Sequence, residues 1–246
     1  MTATITSRYD LITELPFSPV NSPVEVDGQF YPSSTYDFVK ASSQRVDSTI
    51  SPIANGSDNL SFGVWVYLNS LGVGHGVFTQ VPAAVGNGDR WWFCDILSDG
   101  RIRLQMFRFL PSQAFIRSIS IPITHPLQTW FFLSGSLDAE GAFAGNVDIY
   151  INGAELSYQT QDQISGAYGP FTNMGNLKIG GGGFVIPYSD ARFDNPIFGD
   201  DVVWTAQDHA DLYAAELARI GIGYGPTKEQ KERGLYLFDG PALSNA

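Results

Sequence analysis

The stretch from Thr129 to Leu156, TWFFLSGSLDAEGAFAGNVDIYINGAEL, constrains the fold more than any other part of the chain. Its first run, TWFFLSGSL, is almost wholly apolar, as expected of a strand that is covered on both faces. After a glycine-bearing break, VDIYINGAEL alternates apolar and polar positions and contains Asn152-Gly153, a dipeptide that favours a type I′ hairpin turn. The stretch therefore predicts two neighbouring antiparallel strands followed by a tight turn.

Two more stretches have the periodicity of strands. In NLSFGVWVYLNS the apolar residues from Leu60 to Leu68 alternate with a second set that includes Trp65 and Tyr67, which predicts a half-buried strand with an aromatic second face. RWWFCDILSDGRIRLQMF predicts a hairpin that turns at Ser98-Asp99-Gly100. With 26 Gly and 14 Pro among 246 residues to end such strands, the composition favours one large all-β domain.

A single helix is predicted, near the end of the chain. Thr205 is placed to cap it, with Asp208 three residues on, and the run AQDHADLYAAELARI carries Leu212 and Leu217 at helical spacing. Gly221 is expected to end it. Many short strands followed by one helix indicate a β-sandwich.

The same patterns divide the chain into three parts. Residues 1–33 combine prolines and serines without sustained periodicity, which predicts an N-terminal arm. Residues 34–218 are predicted to form the sandwich, and residues 219–246 a C-terminal tail. The first residues lack a basic start followed by an apolar run, so we expect synthesis in the cytosol without a Sec-type signal.

Charge and cysteine content argue against several classes of function. A net charge of −11 is unfavourable for nucleic-acid binding, which depends on Lys and Arg at phosphates, and an anionic membrane would repel the chain. No stretch is long and apolar enough to span a bilayer, so membrane insertion is not expected. The one cysteine, Cys94, lies in the apolar run RWWFCDIL and is expected to be a buried thiol and not a nucleophile.

Five signatures, taken together and in order, resemble one known group of proteins. NLSFGVWVYLNS, RWWFCDILSDGRIRLQM, LQTWFFLSGSLDAEG with NVDIYINGAEL, GNLKIGGG, and ARFDNPIFGDDVVWTAQDHADLY are similar to successive strands of the laminin-G-like, concanavalin A-like jelly rolls. Trp130, Asp138, Tyr150 and Asn152-Gly153 stand at matching positions. The resemblance covers residues 34–218 and implies an all-β fold, a concanavalin A-like jelly-roll β-sandwich with one short C-terminal helix and extended N- and C-terminal arms.

The superfamily that the chain resembles includes sugar-binding lectins, calcium-dependent adhesion modules and glycan-cleaving enzymes, so individual residues must decide between these. Its laminarinase-type members carry Glu-x-Asp-x-x-Glu on one strand. The nearest match here, EVDGQF from Glu25, has Phe30 in place of the second Glu and lies in the predicted arm. No catalytic residue is therefore assigned, and the protein is not expected to be an enzyme.

Calcium is the one cofactor that the sequence leaves open. Asp138 with Glu140, or Asp200 with Asp201, offers the hard oxygen ligands that calcium prefers. Paired acids in loops are more often a hydrated surface. No cofactor is therefore predicted, and no metal ligand is assigned.

Trp91, Trp92, Arg101 and Arg103 are the candidate residues for binding a glycan or a partner. Adjacent strand residues face opposite ways, so one indole is expected to point outward, where it can stack on a sugar ring; the alternative is that loops cover both faces. Arg101 and Arg103 share one face, and Arg108 and Arg117 follow them in the sequence. This basic stretch and the acidic segment 190–216 together predict self-complementary assembly. The alternative for the arginines is an ordinary solvated strand face.

These expectations combine into one functional interpretation. The chain is predicted to be a non-catalytic structural or adhesion protein of a large assembly, a phage virion component such as a capsid decoration or tail protein. Its predicted partners are neighbouring copies or other structural proteins, and glycans, and its predicted location is the virion. A free carbohydrate-binding lectin module is the first alternative, and a glycan hydrolase or lyase is the second.

Overall fold

The fold is a sandwich of two antiparallel sheets with one helix packed on its outside. The computed structural model describes residues 17–21, 24–27, 34–48, 51–54, 56–82, 90–108, 114–123, 127–138, 147–164, 171, 174–182 and 186–221. Within these residues the elements are β1 (Phe17–Val20), β2 (Val24–Asp27), β3 (Ser34–Phe38), β4 (Arg45–Ser48), β5 (Asn59–Leu68), β6 (His75–Pro82), β7 (Arg90–Ile96), β8 (Ile102–Arg108), β9 (Ala114–Ser120), β10 (Trp130–Asp138), β11 (Val147–Ile151), β12 (Ala154–Glu155), β13 (Tyr158–Ile164), β14 (Met174–Ile179), β15 (Ala191–Asp200) and α1 (Ala206–Gly221), with a single 3-10 turn at Lys40–Ser42.

The strands are shared almost equally between the two sheets. One sheet has eight strands in the order β1-β4-β14-β6-β7-β8-β9-β13, and the other has seven in the order β12-β11-β10-β5-β15-β3-β2. Neighbouring strands are antiparallel throughout. The predicted all-β jelly-roll sandwich with one late helix is confirmed.

The main core lies between the two sheets. β5 contributes alternate residues from Leu60 to Leu68 to it, as its periodicity predicts, and Phe62 stacks on Trp92 of the opposite sheet with ring centroids 5.9 Å apart. Each large apolar side chain buried in this way stabilises the fold by roughly 1.5–3 kcal/mol. The predicted β7–β8 hairpin is also confirmed, and Gly100 takes the positive φ of 86° that its turn requires.

A second apolar core lies between α1 and the outer face of the seven-stranded sheet. The side chains that form it are Trp65, Tyr67, Trp130, Phe132, Ile197, Trp204 and Leu212, with Val202, Tyr213 and Leu217 packed at its margin. Trp65 and Tyr67 are therefore buried, and the prediction that β5 is only half-buried is wrong. The aromatic residues on its second face are the surface on which the helix packs.

Two local features hold α1 in place. Thr205 and Asp208 cap its first turn as predicted, because the Thr205 backbone N–H donates to the Asp208 carboxylate at 2.9 Å. Gly153, at φ 76° in the tight turn between β11 and β12, lies against the helix, where a Cβ would stand 3.0 Å from the Cα of Ala210. The predicted Asn152-Gly153 hairpin thus also forms part of the surface that receives the helix.

The boundary of the predicted N-terminal arm at residue 33 is wrong. β1 pairs with β4 at the edge of the eight-stranded sheet, and β2, which contains Glu25, pairs with β3 at the edge of the seven-stranded sheet. Both are edge strands, where Pro19 is tolerated because one side needs no hydrogen-bond donor, and so the segment lacks the apolar signal of a buried strand. Residues 1–16, Phe30 and most of the predicted tail lie outside the described residues.

The interface between α1 and the sheet contains a fully buried histidine. The two ring nitrogens of His209 each lie 2.9 Å from a serine hydroxyl of β10, Nδ1 from Ser134 and Nε2 from Ser136, and the ring stacks on Tyr150 with centroids 3.9 Å apart. Burial lowers the pKa of His209 from 6.5 to about 3, although the neighbouring Asp208 opposes the shift. The helix is therefore attached through a neutral imidazole.

We expect the stability of the protein to fall on acidification because of His209. Between pH 6.5 and about 3 the unfolded chain binds a proton at this residue that the folded chain does not, which costs the folded state up to about 1.4 kcal/mol per pH unit. Asp148, whose pKa burial raises to about 6, acts in the opposite direction between about pH 4 and 6, because there the folded state binds the extra proton.

Urea unfolding at several pH values between 7 and 4 measures both effects. The His209→Gln variant should lose stability less steeply than the wild type on acidification, and the Asp148→Asn variant more steeply. An unchanged pH dependence in His209→Gln would contradict the assignment.

Candidate functional site

The outer face of the eight-stranded sheet, on the side of the sandwich opposite to α1, carries a set of arginines, aspartates and aromatic rings. Along β7, β8 and β9 the even-numbered residues, such as Trp92 and Leu104, point into the core, so the odd-numbered ones point outward. We call this set the arginine face; its members are Trp91, Phe93, Asp95, Asp99, Arg101, Arg103, Gln105, Phe107, Phe115, Arg117, Gln159 and Asp162.

Arg103 and Asp95 form the most buried ion pair of the arginine face. They are opposite each other on β8 and β7, and the guanidinium donates from Nε and Nη2 to the two carboxylate oxygens at 2.9 and 2.7 Å. The guanidinium carbon lies 4.7 Å from the ring centre of Phe93. The Asp95 side chain is 1% exposed, so burial raises its pKa, and the Arg103 guanidinium opposes that shift.

Arg117 repeats this arrangement one strand further on. It pairs with Asp162 across β9 and β13 through Nε and Nη2, at 2.5 and 2.7 Å, and its guanidinium carbon lies 4.7 Å from the centre of the Phe115 ring. This pair is more open than the first, with the Asp162 side chain 39% exposed. Two units of aromatic ring, guanidinium and carboxylate therefore lie on adjacent parts of the same sheet face.

Arg101 adds a third ion pair at the end of the face beside the β7–β8 turn. Its Nε donates to Asp99 and its Nη1 donates to the side-chain oxygen of Gln159, both at 2.8 Å. Asp99 also lines a cleft of about 210 Å³ at the end of the sandwich, whose other lining residues are Leu68, Leu71, Gly72, Val73, His75, Ile96, Leu97, Ser98, Gly100 and Ile123. The arginine face and this mainly apolar cleft thus meet at Asp99.

The arginine face presents fixed hydrogen-bonding groups beside apolar rings. A guanidinium has five N–H donors, and a side-on pair with a carboxylate uses two of them, so three donors of Arg103 and three of Arg117 are directed away from their aspartates. The carboxylate oxygens keep further lone pairs as acceptors. Such a surface can donate to and accept from neighbouring hydroxyl groups without breaking its own ion pairs.

The two predicted tryptophans do face opposite ways, but neither is exposed. Trp92 lies in the main core and donates from Nε1 to Gln80 at 2.9 Å. Trp91 points outward, yet it packs against Phe93 and Phe107 and is only 4% exposed. The expectation that one indole is open to a sugar ring is therefore wrong, because the second face is covered; a binding role for either residue stays a prediction.

Arg101 and Arg103 lie on one face as predicted, but the basic surface that was expected of them is neutralised. The sequence interpretation left out their partners Asp95 and Asp99 and did not link Arg117 to Asp162. The pairing of Asp95 with Arg103 could have been predicted from the sequence, because a hairpin that turns at residues 98–100 places the two residues opposite each other. The pair of Arg117 with Asp162 depends on the pairing of β9 with β13, for which no local signal exists.

Several carboxylates of the acidic segment 190–216 make contacts within the fold. Asp208 caps α1, and the Glu216 carboxylate accepts from Trp65 Nε1 at 3.1 Å. Asp200 accepts from the backbone N–H of Ala54 at 3.0 Å. The predicted self-complementary assembly stays a prediction, although the two arginines on which it depends are already paired with Asp95 and Asp99.

Two of the acids considered for calcium, Asp200 and Asp201, have structural roles. Asp201 accepts from the backbone N–H of Asp58 at 3.0 Å, so that with Asp200 it ties the loop before β5 to the end of β15. Asp138 ends β10, and Glu140 lies outside the described residues. Among the residues described, no three His, Cys, Asp or Glu side chains are grouped to hold a metal ion.

Cys94 is fully buried, and burial raises the pKa of its thiol well above the ordinary value, as expected of a structural cysteine. In the part of the chain that the structure covers, α1 is the only α-helix, and no helix is long and apolar enough to cross a membrane.

Comparisons with known proteins identify the fold but not a family. No protein-family model matches the sequence, and no curated protein matches it. Domain 4 of AbnA, a GH43 extracellular arabinanase from Geobacillus stearothermophilus, in complex with arabinotriose, is similar in structure with a TM-score of 0.53 and 18% identity, over 80% of this chain and 88% of that one.

Two botulinum neurotoxin binding domains are also similar. The domain of serotype G has a TM-score of 0.53 and 15% identity over 83% of this chain and 48% of its own. The domain of neurotoxin DC, in complex with SialylT, has a TM-score of 0.50 and 15% identity over 85% of this chain and 48% of its own. This chain thus spans about half the length of the toxin domains, and identities this low show only a shared jelly-roll β-sandwich, as found in carbohydrate-binding domains.

Loss of the Arg103 side chain should destabilise the protein far more than loss of Arg101. Arg103→Ala leaves the buried Asp95 carboxylate without its counter-charge, which we expect to cost about 2–4 kcal/mol, whereas the more exposed Arg101 pair should contribute less than about 1 kcal/mol. Urea unfolding at pH 7 measures both. Adding Asp95→Asn to Arg103→Ala should restore part of the loss; equal effects of the two arginine substitutions would contradict the structural role given to Arg103.

Proposed function

We propose that the protein is a non-catalytic glycan-binding module with an adhesive role in a large assembly, and that the arginine face is its binding surface. The observation that carries this proposal is the repeated unit of ring, guanidinium and carboxylate formed by Arg103 and Arg117. Planar donors and acceptors held at fixed positions beside aromatic rings suit a ligand with many hydroxyl groups and apolar C–H faces.

The chemistry of these groups favours recognition over catalysis. A glycosidase needs two carboxyl groups free to reach the sugar, one as acid and one as base or nucleophile. On the arginine face Asp95 is buried beneath its ion pair, and Asp162 is held by two hydrogen bonds to Arg117. Both are placed to orient guanidinium groups and poorly placed to transfer protons.

The structural neighbours add support of a coarser kind. One is named as a complex with arabinotriose and another as a complex with SialylT, so domains with this fold hold glycans in other proteins. The similarity is one of fold, and the residues of the arginine face carry the proposal for this chain.

Substitution of Arg117 should weaken glycan binding without unfolding the protein. Arg117→Ala removes donors and an aromatic stack from a partly exposed pair, and loss of a hydrogen bond to a charged group corresponds to roughly a tenfold or greater loss of affinity. Binding is measured on an array of immobilised oligosaccharides and then by calorimetry with the best ligand.

Arg45→Ala is the matched control for this experiment. Arg45 forms the same side-on pair, with Asp47, on the outer face of the same sheet but on β4, away from the arginine face. We expect it to bind glycan like the wild type. Wild-type binding by Arg117→Ala would remove the arginine face as the binding surface.

The assembly in which this module acts is proposed to be a phage virion, where the chain serves as a capsid decoration or tail component. β1 closes one edge of the eight-stranded sheet, and the proposed contact with a neighbouring subunit is made by the sixteen residues that precede Phe17 in the sequence. The basis for this role is the arm-like composition of those residues.

Deletion of residues 1–16 tests the assembly role. The deletion must stop before Phe17, because β1 belongs to the sheet. We expect the 246-residue chain to be oligomeric by light scattering and the truncated chain to be monomeric, with unchanged thermal stability. The same mass for both forms, together with normal incorporation of the truncated chain into particles, would contradict a tethering role for this segment.

A further inference from the structure

We infer that the arginine face selects neutral glycans over anionic ones, because every guanidinium described on it is already neutralised by a carboxylate of the same face. This inference rests on the proposed glycan-binding function and deepens it by naming the class of ligand. The three pairs are Arg101 with Asp99, Arg103 with Asp95, and Arg117 with Asp162.

The charges of these three pairs cancel. The chain as a whole carries a net charge of −11, so the long-range field also disfavours an approaching anion. A basic groove for an acidic sugar would have guanidinium groups in excess of carboxylates, and the pairs described on this face show no such excess. Electrostatics therefore give an anionic glycan no advantage here.

An acidic sugar would have to displace an aspartate to bind the side-on edge of either guanidinium. Each of Arg103 and Arg117 uses Nε and Nη2 for its aspartate, and this side-on edge would otherwise be able to bind a ligand carboxylate with two hydrogen bonds. At Arg103 the displaced Asp95, with 1% of its side chain exposed, would be left buried and unpaired, which is strongly unfavourable. The side-on edge of Arg103 is therefore closed to anions.

A neutral sugar can bind without displacing either aspartate. Its hydroxyl groups can accept from the three N–H donors that each guanidinium directs away from its aspartate, and can donate to the carboxylate oxygens, while the ion pairs stay intact. Phe107 and Phe115 are only partly buried and offer apolar surface to the C–H face of a sugar ring. The ligand class that fits all of these groups is a neutral oligosaccharide.

Asp162 is the residue through which this selectivity can be changed. Its side chain is 39% exposed, so it can be replaced without leaving a buried charge, and Asp162→Asn releases the positive charge of Arg117. Asp47→Asn is the matched control, because it releases Arg45 in the same way on β4. Thermal unfolding verifies that both variants are folded.

The experiment compares neutral oligosaccharides with sialylated forms of the same backbones on one array, at about 50 and 300 mM NaCl. We expect the wild type to bind neutral members with little dependence on salt. Asp162→Asn should gain at least about tenfold in binding of the sialylated forms, with a clear loss at high salt, and Asp47→Asn should gain nothing.

The outcomes separate this inference from the function on which it rests. Wild-type binding to sialylated forms that equals or exceeds binding to neutral ones would overturn the inference and leave glycan binding standing. Absence of gain in Asp162→Asn would also overturn it, because the pairing would then not set the selectivity. Binding to no glycan on the array would overturn the proposed function itself.

Discussion

The burial of β5 on both faces is the constraint from which the rest of the structure follows. One side of this strand packs into the core between the sheets, and the other, with Trp65 and Tyr67, packs under α1. β5 is hydrogen-bonded to β10 on one edge and β15 on the other, so no side of it meets water. The molecule thus has three layers, namely the eight-stranded sheet, the seven-stranded sheet that contains β5, and α1. The helix is a necessary part of the fold because it covers the aromatic side chains of β5.

This arrangement makes the two outer faces of the sandwich different in kind. The helix closes the outer face of the seven-stranded sheet, where even the buried His209 is satisfied by serine hydroxyls. The outer face of the eight-stranded sheet has no helix over it in the described residues and carries ion pairs over aromatic rings. Polar groups that are held in place by each other need little reorganisation to receive a ligand, which supports this face as the proposed binding surface.

Local patterns predicted the parts of the structure that depend on neighbours in sequence. The alternation in β5, the turn at Gly100 and the cap at Thr205 are decided within a few residues, and all three are confirmed. The edge strands β1 and β2 escaped prediction because each is held by one neighbour only and needs little apolar sequence. The apolar cluster of Trp91 with Ile186 and the pair of Arg117 with Asp162 join segments that are distant in sequence, which local patterns do not predict.

The position of β15 in the sheet has a consequence for the folding of the chain during synthesis. It lies between β5 and β3, which precede it by more than a hundred residues, and it joins what would otherwise be two separate pieces of the seven-stranded sheet. During synthesis, one hydrogen-bonding edge of β5 therefore has no partner strand until Ala191–Asp200 has left the ribosome. Such late closure makes folding slow and exposes the nascent chain to aggregation.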